Sequence, residues 1–310
     1  MVRLDLHSHI APPAYWTALE RAGMPTPVPP WSVEHLLGVM DQYGITAAVV
    51  SLPPPGVFLG DIVQARELAR VTNEFSAALV QQYPSRFAAL ATLPLPDIEA
   101  ALSELDYALD HLHLDGVALL TNTGGVYLGD PRFEPLFAAL DSRGCYVFVH
   151  PTMPAYPGPV ANIPPWVLEF PFETTRAIVS LLFSGIFERY GAIRWQFAHL
   201  GGTAPFLAYR IASVMEREPA LAARLRRDPV EILQALYYDT ALSNSATVLD
   251  ATLRLLPRER LVWGSDWPYA VLPAGPDPAP DLDRWPEIRA AIEAENARAL
   301  VPRLFERLGR

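Results

Sequence analysis

Apolar residues along this chain fall into two alternating registers. Short runs rich in Val, Ile, Phe and Tyr are separated by longer stretches whose apolar positions recur every three and four residues. The short runs are VRLDLHSH from Val2, ITAAVVSLP from Ile45, FAALATLP from Phe87 and DGVALLTN from Asp115. CYVFVHPT from Cys145, IRWQFAHL from Ile193, ALYYDTAL from Ala235 and RLVWGSDW from Arg260 complete a set of eight strand candidates. Between them lie amphipathic segments such as SVEHLLGVMDQYG, DIEAALSELDYALDHLH and PRFEPLFAALDSRG, several with an Asp or Ser start and a Gly stop. Eight strands alternating with helices predict an α/β fold, a single (β/α)8 TIM barrel spanning residues 1–310. A doubly wound open sheet is the competing arrangement. Its Gly-rich phosphate loop after the first strand is missing.

Three stretches fit neither register: APPAYWTALERAGMPTPVPPW after the first strand, PTMPAYPGPVANIPPW after the fifth and AVLPAGPDPAPDLDRWP after the eighth. All are rich in proline and aromatic residues, and all follow the C-terminal end of a strand. In a barrel such loops stand together over one mouth, where they serve as walls or lids of a pocket.

Composition narrows the function classes. A net charge of -10 disfavours nucleic acid and anionic membranes as partners. No apolar run approaches the roughly 18 residues of a membrane span, and the N-terminal residues lack a signal-peptide pattern. One cysteine, Cys145, cannot form an internal disulfide and reads as packing in a buried strand, so a reducing, cytoplasmic setting is expected. All 24 basic residues are arginine. Without lysine there is no Schiff-base or P-loop chemistry and no carboxylated lysine to bridge two metals.

The histidines carry the chemistry. Asp5, His7 and His9 lie on alternate positions of the first strand and are expected to share one face, so two imidazoles can reach a common ion. His150 ends the fifth strand, His199 the sixth and Asp266 the eighth. Five potential metal-site residues at the C-terminal ends of strands in one barrel predict a metal centre. The remaining histidines read otherwise. His35 sits in a half-exposed helix, while His111 and His113 form a second HxH that closes a helix, where its dipole favours cations.

LDLHSH, FVHP, the FETT of EFPFETTRA, FAHLGG with TAPFLAYRI, and WGSDWPY resemble the decarboxylase branch of the amidohydrolase superfamily, founded on aminocarboxymuconate semialdehyde decarboxylase. Within it, ITAAVVSLPPPG, ALDHLHLDGVALLTN, YLGDPRFEPLFAAL and VFVHPTMP look closest to 6-methylsalicylate decarboxylases. The resemblance implies one divalent ion on His7, His9, His150 and Asp266, zinc first and manganese second, with His199 as the catalytic histidine. It also implies a homodimer in which Arg210, eleven residues after that histidine, reaches the neighbouring subunit's site and binds substrate carboxylate. The branch's other carboxylate-binding arginine has no counterpart in the loop after the first strand, which points away from dicarboxylates.

The expected reaction is non-oxidative decarboxylation of a 2-hydroxybenzoate, a small aromatic carboxylic acid, releasing carbon dioxide and a phenol. Asp266 is expected to deliver the ring proton while His199 holds or relays it. Trp267, Phe172 and Trp166 are candidate ring walls; Phe148 is a weaker one that also reads as core. Glu173 is expected to hydrogen-bond a ligand histidine or Arg176. The alternative is a hydrolase of a lactone or amide acting through a hydroxide held by the same ion. A structural metal carrier would leave His199 without a role.

Overall fold

In the computed structural model, which describes residues 2–24, 31–154 and 162–309, the eight expected strands are all present. They are β1 (Leu4–His9), β2 (Ala47–Ser51), β3 (Phe87–Ala91), β4 (Gly116–Leu120), β5 (Tyr146–His150), β6 (Arg194–Phe197), β7 (Tyr237–Asp239) and β8 (Leu261–Val262). Each pairs in parallel with the next. Beyond β8 the chain returns to β1: Leu6 N donates to Trp263 O at 2.9 Å, Asp266 N to His7 O at 2.7 Å and His9 N to Trp267 O at 2.9 Å. The sheet is thereby closed into a barrel with helices outside it.

Strand alternation divides the apolar residues between two cores. Leu4, Leu6, Ala47, Val49, Ala88, Leu90, Tyr146, Phe148 and Val262 form one cluster with Leu300, Leu304 and Phe305. Side chains from so many strands meet only inside the barrel, so the C-terminal segment closes it opposite the mouth. Their alternates, including Ala48, Val50, Phe87, Ala89, Val147 and Val149, pack outward against the helices. Burying one such Leu or Phe side chain contributes roughly 1.5–3 kcal/mol.

Two features of β1 depart from simple alternation. Leu4 and Asp5 pair with Ala47 and Ala48, but Ser8 and His9 pair with Val50 and Ser51, so β1 absorbs one extra residue. This bulge allows Leu4 and Leu6 to fill the interior while His7 and His9 still point into the mouth. Asp5 therefore does not join the histidine face. Its carboxylate instead accepts hydrogen bonds from Ser265 N, Ser265 Oγ and His7 N.

The first proline-rich stretch, expected to be irregular, contains a helix over Pro13–Arg21. Proline at its first turn lacks only a donor that the helix does not use, and Tyr15, Ala18 and Leu19 are buried at helical spacing. Residues 155–161 of the second stretch lie outside the described residues. The third includes a short 3-10 helix over Pro280–Arg284. Among the described residues, no helix is long and apolar enough to cross a membrane.

Cys145 is buried and its Sγ lies 3.3 Å from the Tyr146 carbonyl, with burial pushing the thiol up to about 12. The thiolate is the reactive form, so this cysteine is expected to resist iodoacetamide in the native protein at about pH 8 and to react fully in denaturant. Mass spectrometry of the intact protein distinguishes the two cases, and rapid native alkylation would contradict the assignment.

Candidate metal centre

The four expected ligands meet. One ligand atom from each of His7, His9, His150 and Asp266 lies within 4.8 Å of the other three, and all four residues are buried. β1 supplies the first two, β5 the third, and the turn after β8 the aspartate.

Hydrogen bonds on the far side of two rings settle which nitrogen faces the centre. His150 Nδ1 lies 2.7 Å from the Pro151 carbonyl, which only accepts, so the proton is on Nδ1. His7 Nδ1 lies 3.1 Å from Asp239 Oδ1, again an acceptor. The Nε2 atoms of both rings have no hydrogen-bond partner, although Asp266 Oδ1 stands 3.2 Å from that of His7. His9 Nε2 is 3.0 Å from the same oxygen. Two buried Nε2 atoms without hydrogen-bond partners, beside a third imidazole and a carboxylate, fit a divalent cation.

The electrostatics agree. Burial acts to raise Asp266, but the His7 charge beside it and hydrogen bonds to His199 and His9 hold it well below the usual carboxylate range. Burial and the neighbouring His9 and His7 charges keep His150 well below the ordinary imidazole value. Burial lowers His9 as well. It also opposes a charged His7, yet the Asp239 and Asp266 carboxylates outweigh it and raise that ring to about 10. Desolvation raises Asp5 to about 6.

His199 sits one step from the ligands, its ring 5.1 Å from that of His7, and Nε2 is 3.4 Å from Asp266 Oδ2. Asp266 therefore turns one oxygen to the ligand pair and the other to His199. Both residues have left-handed backbone, with φ of 55° at His199 and 56° at Asp266. Such conformations cost on the order of 1–3 kcal/mol each and cluster at functional sites. Glycine makes the neighbouring turns possible: a Cβ on Gly202 would lie 2.0 Å from Pro171 O, and one on Gly264 2.6 Å from His7 Cβ.

The remaining expectations divide. Arg210 is exposed on the helix Ala204–Ala212, with no salt bridge among the described residues. Trp267 is 7% exposed and packs edge-on against His35 at 5.2 Å, within the outer core. Its ring is packed as a core residue there. Phe172 and Trp166 are 38% and 60% exposed. Phe148 is core and meets the His7 ring at 4.9 Å. Glu173 binds Arg176, Asn122 and Tyr127 rather than a ligand histidine. His111 and His113 are exposed.

Sequence reasoning passed over three groups. Leu52, Val57, Phe58, Leu93 and Leu120, with Thr92, line a pocket beside His150. They follow or end β2, β3 and β4, positions that face the mouth of any such barrel. Tyr269 meets the His9 ring at 5.4 Å, and its hydroxyl has no hydrogen-bond partner among the described residues. Asp239, at the end of β7, is fully buried behind His7.

His150→Ala removes one of four ligands without touching the core, and is expected to weaken divalent-metal binding at least about 100-fold. Metal content after dialysis against a chelator, measured by plasma mass spectrometry beside the parent, checks this.

The amidohydrolase family profile matches residues 4–303. The chain is 35% identical to 6-methylsalicylic acid decarboxylase of Penicillium expansum, covering 87% of this chain and 86% of that protein. It is 35% identical to 6-methylsalicylic acid decarboxylase of Aspergillus aculeatus, covering 98% and 97%. The structure of dihydroxybenzoic acid decarboxylase from Polaromonas sp. JS666, solved with manganese and the inhibitor 2-nitroresorcinol, superposes with a TM-score of 0.80 at 22% identity over 97% of this chain and 96% of that one. A match that starts at the first residue of β1 and runs to Arg303 leaves only the two ends outside it, and the chain belongs to the amidohydrolase family.

Proposed function

We propose that residues 1–310 act as one metal-dependent carboxy-lyase domain that decarboxylates a 2-hydroxybenzoate of the 6-methylsalicylate type to carbon dioxide and a phenol. The observation that carries this is the pairing of a buried three-imidazole, one-carboxylate centre with His199 on the outer oxygen of Asp266. It occurs in a chain 35% identical to two 6-methylsalicylic acid decarboxylases.

His7, His9, His150 and Asp266 would hold the ion. When bound, it stabilises negative charge on the carboxylate and phenolic oxygens of the substrate. Three imidazoles and a carboxylate suit zinc, which we favour; manganese, present in the Polaromonas structure, is the second candidate.

In this reading a proton held between His199 Nε2 and Asp266 Oδ2 lies at the mouth of the barrel. Asp266 passes it to the ring carbon that bears the carboxylate, with His199 holding or relaying it. The bond to the carboxylate then breaks, its electron pair returns to the ring, and carbon dioxide leaves. The largely apolar walls beside His150 suit a substituted ring. A lactone or amide hydrolase needs polar anchors for its leaving group, and among the described residues the polar side chains lining this pocket are those of Thr92, Thr123 and His150. Partly exposed Phe172 and Trp166 would cover the ring from the side of the loop after β5.

The same reading makes the protein a homodimer with Arg210 acting in the neighbouring site. Phe206 and Tyr209, 90% and 76% exposed on the helix that carries Arg210, support a covered face there. The single buried cysteine and the absence of disulfides fit a cytoplasmic location.

Metal-loaded protein incubated with salicylate, 6-methylsalicylate and dihydroxybenzoates is expected to release carbon dioxide and the matching phenol. His199→Ala should lower kcat about 100- to 10,000-fold with metal content unchanged. Turnover of lactones or amides with no carbon dioxide from any aromatic acid would replace this reading with the hydrolase. Mixed dimers of Arg210→Ala and His199→Ala should regain part of the activity that each lacks alone. No recovery in verified mixed dimers would place Arg210 outside the site.

A further inference from the structure

We propose that Asp239 is a positioning residue that ties metal retention to the placement of His199. It has no contact with the metal-facing atoms and acts through two other residues. The inference rests on the metal centre but not on the identity of any substrate.

Asp239 is fully buried, and each of its oxygens is committed. Oδ1 accepts from His7 Nδ1, from the backbone N–H of His199 and from that of Ala241, each at 3.1 Å. Oδ2 accepts from Gln196 Nε2 at 2.9 Å. Gln196 is locked in turn: its Oε1 accepts from Tyr146 OH at 2.7 Å, and its Nε2 also reaches the Leu6 carbonyl at 3.2 Å. Tyr146, Gln196 and Asp239 thus form a buried chain across β5, β6 and β7 that ends on β1, with no freedom to rotate.

The consequences follow from donor and acceptor identity. Oδ1 already accepts from two backbone N–H groups, so it stands toward His7 as an acceptor, which places a proton on Nδ1 and turns Nε2 toward the centre. The same oxygen holds the His199 N–H, in a backbone with φ of 55° and 52° at successive residues. Without that acceptor the N–H would be buried and unsatisfied, and the turn that presents His199 to Asp266 would lose its anchor. One oxygen atom therefore sets a ligand's tautomer on one side and the neighbouring histidine's backbone on the other.

The test uses the full chain with zinc. Asp239→Asn preserves shape while removing the charge and one acceptor. Its zinc affinity, measured by competition with a fluorescent chelator, is expected to fall about 10- to 100-fold. Amide hydrogen exchange at His199 should quicken at least about 10-fold, with the far-UV spectrum unchanged. A folded variant with zinc affinity within about twofold of the parent, or with His199 exchange unaltered, would overturn the proposal. If the variant does not fold, the parent labelled with 15N-histidine decides: zinc-loaded His7 must carry its proton on Nδ1, and a bare Nδ1 would overturn the proposal. These readouts stand whether or not an aromatic acid is turned over.

Discussion

A carboxylate buried at the mouth of a barrel needs positive charge or hydrogen-bond donors around it, and Asp266 organises the structure in these terms. It is 5% exposed, faces His7 and His9 with one oxygen and His199 with the other, and lies close to His150. The imidazoles around it leave the Nε2 atoms of His7 and His150 without hydrogen-bond partners, and a shared divalent cation would satisfy both them and the carboxylate. The bulge in β1 and the left-handed residues His199 and Asp266 place the five groups within reach of one another, and Gly264 leaves room behind His7. The strain sits where the chemistry is proposed, supported by a closed sheet and two apolar cores.

Around this centre the protein separates polar from apolar function by strand end. The C-terminal ends carry the histidines and aspartates; the opposite end is sealed by Leu300, Leu304 and Phe305. Beside His150 the wall is aliphatic, which suits an aromatic ring better than a polar leaving group. Behind His7 the wall is polar and fully hydrogen-bonded through Asp239, Gln196 and Tyr146. The site thus has a largely apolar side next to His150 and a hydrogen-bonded polar side behind His7.

Most of the barrel was legible because its strands are short apolar runs ended by chemically distinctive residues. His7, His9, His150 and Asp266 were readable for the same reason: each lies near or just beyond the C-terminal end of a strand, and those ends converge in a barrel. What was not legible depends on local geometry. The bulge that removes Asp5 from the histidine face leaves no mark in a period-two pattern. The contact of the Trp267 ring with His35, far away in sequence, likewise leaves no mark in the pattern. Proline density hid the helix at Pro13–Arg21, whose prolines precede or open its first turn, where they do no harm. Asp239 sat in a recognised strand and was missed because aspartate at a strand end is common; only the facing donors reveal its part.

The most direct measurement is anomalous diffraction at the zinc edge from crystals of the metal-loaded protein. The account predicts a single peak, bound by His7 Nε2, His9 Nε2, His150 Nε2 and an Asp266 oxygen at about 2.0–2.2 Å. His199 should lie outside the coordination sphere. A peak elsewhere, two peaks, or His199 replacing one of the four ligands would contradict it.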